Sequence, residues 1–143
     1  MRRFRSILVP LVAVTFFAGC SDDEGPTNVV PPPDLSGTYD LTSFSQGGVT
    51  LTPPAVNGTI IVAETSRSGS VATGTYNLDI TTPAGPVQDQ GTYSIDTSDG
   101  SWSQDSSTQG FQSVGTFSLV GSTLTVEVTA PAAAANTSVW QRR

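Results

Sequence analysis

The chain contains no histidine and no lysine, and its 143 residues include a single cysteine. Without histidine there is no Ser-His-Asp or Cys-His nucleophile, no histidine-ligated zinc and no side chain that titrates near neutrality by default. One cysteine permits no internal disulfide, so the fold must be held by its core alone. Cations are scarce as well: six arginines face twelve carboxylates, a net charge of −6. Such a chain lacks the basic surface that supplies most of the affinity for phosphate backbones, which excludes nucleic acid as an expected partner. Helical periodicity is missing between Ser36 and Ala130, and the Ala132 to Ala135 run is short and follows Pro131. What remains for catalysis is a carboxylate pair of the glycosidase kind, with Glu64, Asp79, Asp96 and Glu127 as candidates. Each falls on a polar strand face or at a strand end, where a solvated charge is the default, so no enzyme activity is expected. Asp96, Asp99 and Asp105 lack the spacing of a calcium loop, and Asp99-Gly100 reads as a turn. No metal or cofactor is implied.

The N-terminus carries an address. Arg2, Arg3 and Arg5 precede an apolar run from Ile7 to Gly19, thirteen residues interrupted by Pro10, whereas a membrane-spanning helix needs about 20. The order of basic start, short apolar run and small residues is that of an export signal. Phe17-Ala18-Gly19-Cys20 resembles a bacterial lipobox. The resemblance implies cleavage before Cys20, acylation of its sulfur, and anchoring in the bacterial cell envelope, since two or more acyl chains hold a protein stably on a membrane. Ser21 at the following position favours the outer membrane. Residues 1–19 are then the signal peptide, 20–33 the lipidated cysteine with a proline-rich tether, and 34–143 the folded domain. Cleavage leaves three arginines against twelve carboxylates, a net charge of −9, so membrane association depends on the lipid rather than on electrostatics. The tether, SDDEGPTNVVPPP, favours extended polyproline geometry.

Beyond Asp34 the chain echoes itself. Gly-Thr precedes a large residue at Tyr39, Ile60, Tyr76, Tyr93 and Phe117, and GTYDL, GTYNL, GTYSI and GTFSL alternate large and small polar residues with period two. That alternation predicts strands with one buried and one wet face. Coarse boundaries place them near 36–44, 58–64, 70–81, 87–96, 100–106, 113–120, 123–129 and 137–142, with tight reversals at Asp99-Gly100 and Gly121-Ser122 and a longer turn at 83–86. The expected fold is all-β: an eight-stranded antiparallel up-and-down barrel with very little helix.

The inward phase collects Tyr39, Leu41, Ile60, Val62, Tyr76, Leu78, Ile80, Tyr93, Ile95, Trp102, Phe117, Leu119, Leu124, Val126, Val128 and Trp140. The opening Leu35-Ser36-Gly37-Thr38-Tyr39-Asp40-Leu41, the later Gly121-Ser122-Thr123-Leu124-Thr125-Val126 and the closing Val139-Trp140-Gln141-Arg142 resemble the lipocalin-like domains of bacterial envelope lipoproteins. True lipocalins carry tryptophan where this chain has Tyr39. The resemblance implies a calyx whose open end admits an apolar small molecule or lipid, with Tyr39, Tyr76, Tyr93, Trp102, Phe117 and Trp140 as candidate lining residues. The alternative is a barrel filled by those aromatics, serving as a structural or protein-interaction module of the envelope.

Overall fold

A computed structural model of the chain describes residues 29–143. The expected signal peptide, Cys20 and most of the tether lie outside the described residues. From Gly37 onward the chain is β-structure: β1 Gly37–Gln46, β2 Val49–Leu51, β3 Asn57–Ser68, β4 Val71–Thr82, β5 Gly85–Asp96, β6 Ser101–Ser106, β7 Gln112–Val120, β8 Thr123–Ala130 and β9 Asn136–Arg142. The sole helical element among the described residues is a 3-10 turn at Ala132–Ala134. β3 pairs with β1, each strand from β3 to β8 pairs antiparallel with the next in sequence, and β9 pairs back with β1, which closes the sheet into an up-and-down barrel. Closure leaves the long strands no free edge for uncontrolled pairing.

All eight expected strands are present; β2 was not foreseen. Along one flank of β1, Gly37–Asp40 pair with β3 and Phe44–Gln46 pair with β2. Thus β2 and β3 share one stave of the eight, broken by the excursion 52–56, which turns through Pro53-Pro54 and drops Val56, wholly buried, into the core. The turn expected at 83–86 is tighter than its composition implied. Thr82 already pairs with Gly85, so Pro83-Ala84 alone reverses the chain.

The Gly-Thr-Tyr echo acquires a packing role. Gly74-Thr75-Tyr76 and Gly91-Thr92-Tyr93 lie antiparallel in register, with Gly74 opposite Tyr93 and Tyr76 opposite Gly91. The Tyr93 ring covers Gly74, whereas Gly91 is closed over by the β6 backbone at Asp105 and Ser106. A Cβ built on Gly74 would stand 2.5 Å from the Tyr93 ring, closer than real contacts allow. Tyr93 continues inward to stack on Trp102, with ring centroids 5.4 Å apart and planes 6° from parallel.

The two ends of the barrel differ. One, the base, gathers the turns β3–β4, β5–β6 and β7–β8 and is crossed by residues 30–36. Leu35 and Pro32 are fully buried there, Thr97 Oγ1 donates to the Val30 carbonyl, and Arg142 donates to the Asp34 carbonyl at 2.6 Å. The last residues of the expected tether are thus part of the base and do not all extend into solvent. The other end, the mouth, gathers the turns β4–β5 and β6–β7 and the β8–β9 connection. Among the described residues, every buried apolar core residue from Leu35 to Trp140 belongs to the barrel and its base.

Candidate functional site

The mouth opens into a cavity of about 800 Å³ inside the barrel. Its wall is mainly apolar: Ile60, Ile80, Val126, Val128, Trp102 and Trp140 lie deep, while Phe111 and Val87, 39% and 43% exposed, stand at the rim. A volume of roughly 300–1,000 Å³ with a mostly apolar lining and a few convergent polar groups is typical of small-molecule sites. Both indole N–H groups find partners beside the cavity, Trp102 Nε1 donating to Gln104 Oε1 at 3.0 Å and Trp140 Nε1 to Ser138 Oγ at 2.9 Å. With their polar edges satisfied, the rings present apolar surface to the space.

One carboxylate is built into this wall. Asp89 is 8% exposed; its Oδ2 accepts from the Tyr76 hydroxyl at 2.8 Å, and its Oδ1 accepts from the Ser106 hydroxyl and from the Gln90 backbone N–H. Tyr76 comes from β4, Asp89 from β5 and Ser106 from β6, so the network ties three neighbouring staves together beside the cavity. Burial first, then the adjacent Asp89 carboxylate, raise the Tyr76 phenol far above its ordinary value and keep it a donor.

The six aromatic candidates divide by depth. Tyr76, Trp102 and Trp140 border the cavity. Tyr39 does not: it lies at the base, donating to the Leu35 carbonyl at 2.8 Å and accepting from Arg142 Nε at 3.0 Å, with the Arg142 guanidinium carbon 5.1 Å from the ring centroid. Tyr93 packs behind Trp102, its hydroxyl buried without a hydrogen-bond partner among the described residues, and burial pushes its phenol up to about 12. Phe117 is half-buried against the core, away from the cavity. Cys20 lies outside the described residues.

The four carboxylates weighed for catalysis are dispersed. Glu64 pairs with Arg67 at 2.7 Å, Asp79 accepts from Gln88, Asp96 caps the following turn through Ser98, and Glu127 is exposed. Asp99 likewise accepts from the Ser101 backbone N–H within its turn.

No protein-family model and no curated protein matches the chain. The site is therefore read from its own geometry. Asp89, the residue that sequence reasoning passed over, was within reach: counting back by twos from Tyr93 and Ile95 puts Asp89 on the inward face of β5. It was lost in the polar run Gln88-Asp89-Gln90, where an inward carboxylate runs against the usual exposure of acidic side chains.

Proposed function

We propose that this chain is a lipid-anchored protein of the bacterial cell envelope whose lipocalin-like barrel binds a small apolar molecule or lipid. The observation that carries the proposal is the cavity of about 800 Å³, walled by Trp102, Trp140 and aliphatic side chains. A filled barrel acting as an interaction module would spend its aromatics on closing that space; here half of the candidate aromatics border it. The anchor rests on the lipobox-like Phe17-Ala18-Gly19-Cys20. Because residues 30–36 cross the base, the tether departs from the closed end, and a lipid on Cys20 would turn the mouth away from the membrane that holds it. The domain would then meet its ligand in the adjoining aqueous space.

Native mass spectra of the freshly purified chain from Ser21 onward test the binding role. An apolar adduct that organic extraction removes is the expected result. A bare polypeptide mass, unchanged after incubation with an envelope lipid extract, would overturn the proposal and favour the filled interaction module.

A further inference from the structure

The carboxylate in the cavity wall has no charged partner among the described residues. Asp89 accepts from three neutral donors, the Tyr76 and Ser106 hydroxyls and the Gln90 N–H. A carboxylate offers about four acceptor sites, so one remains open, on Oδ2. A charge withdrawn from water is costly unless a counter-charge stands beside it. Yet the three arginines among the described residues all stand toward the base: Arg67 pairs with Glu64, Arg143 with Asp40, and Arg142 bonds Tyr39 and Asp34. Among the described residues, no cationic side chain borders the cavity. Asp79, Asp105 and Glu127, exposed on the outer surface, add to a negative field at that half of the barrel.

We infer that the cavity selects an amphipathic molecule bearing an ammonium group, its apolar chain lying against Trp102 and Trp140 and its N–H reaching Oδ2 of Asp89. This rests on the proposed ligand-binding role of the same cavity and names the class of ligand. An anionic head would instead set two negative charges together in a poorly solvated space, and a neutral head would leave Asp89 without a counter-charge.

The test is a titration of the chain from Ser21 onward, at neutral pH and below micellar concentrations, with dodecylamine, 1-dodecanol and dodecanoate in turn. Trp102 and Trp140 are the only tryptophans and both border the cavity, so their emission reports occupancy. Dodecylamine is expected to bind at least about tenfold more tightly than dodecanol, the effect of one close charge pair, and dodecanoate most weakly. In Asp89→Asn the advantage of the amine over the alcohol should shrink to about threefold or less. Equal binding of amine and alcohol, or a preference for dodecanoate, would overturn the inference and leave the apolar cavity standing. An emission unchanged by all three would overturn the binding role and this inference with it. Should Asp89→Asn fail to fold, the ranking of the three probes on the unaltered chain still decides.

Discussion

Replacing Tyr39 with phenylalanine removes one oxygen atom from the base of the barrel and leaves the ring, with its Arg142 contact, in place. That oxygen joins three parts of the chain: it sits on β1, donates to the Leu35 carbonyl of the N-terminal segment at 2.8 Å, and accepts from Arg142 on β9. Tyr39 and Leu35 are fully buried, so water cannot readily take the place of the lost hydroxyl. A neutral buried hydrogen bond is worth about 1 kcal/mol and one to a charged group about 1.5–3 kcal/mol. The expected loss is therefore about 2–4 kcal/mol, a large share of the 5–15 kcal/mol typical of a whole domain. With a urea slope of about 1.5–2 kcal/mol/M for a domain of this size, the midpoint should fall by about 1–2.5 M at unchanged slope. The Tyr39→Phe/Arg142→Gln double-mutant cycle should also show a coupling of about 1 kcal/mol or more. A midpoint shift below about 0.3 M, with additive single effects, would refute the claim that this hydroxyl locks the base.

Three further outcomes are expected. Gly74→Ala should destabilise by about 1–3 kcal/mol in urea titrations, because its Cβ meets the Tyr93 ring and the Ala63 carbonyl, neither of which can yield without shifting a strand; an unchanged midpoint would contradict the packing of the Tyr93 ring over Gly74. Trp102→Ala should cost about 3 kcal/mol, the low end for a buried aromatic, because one side of the indole already faces open space; a loss above about 5 kcal/mol would point to a filled interior. Alkaline titration should find the native fold intact at pH 10. Burial raises Tyr93 to about 12 and Tyr76 further, so the folded state holds these protons where the unfolded chain, with ordinary values near 10, has released them. Stability from these groups is full below pH 10 and is lost as pH rises through the folded values. Tyrosinate absorbance should therefore rise together with loss of the near-ultraviolet dichroism; Tyr76 and Tyr93 ionising reversibly near pH 10 in the folded state would contradict the burial.

Much of the barrel was legible because period-two alternation is a local signal. Tyr76, Ile80, Tyr93, Ile95 and Trp102 announce their faces in sequence, and the repeated Gly-Thr-aromatic unit marks staves that pair with one another. What was not legible depends on contacts between distant segments. Pro32 reads as tether, and only the base turns it covers make it core. Val56 sits in a proline-rich stretch without alternation, buried by the break between β2 and β3. The division of the aromatics between base and cavity is likewise absent from local pattern: Tyr39 and Tyr76 follow the same Gly-Thr, yet one is sealed under residues 30–36 and the other borders the cavity. Leu78, Phe117 and Leu119 have the inward phase but are only partly buried, because phase fixes direction and not depth. Asp89 obeyed the phase rule and was missed on residue type alone.

An apolar molecule is expected to enter the barrel through its mouth. The most direct measurement is a proton–nitrogen correlation spectrum of the isotopically labelled chain from Ser21 onward, recorded before and after addition of dodecylamine. The indole N–H signals of Trp102 and Trp140 and the amides of residues 82–89 and 109–113 should move, while those of residues 35–39 at the base keep their positions. An unchanged spectrum, or shifts confined to the base or the outer face, would contradict entry through the mouth.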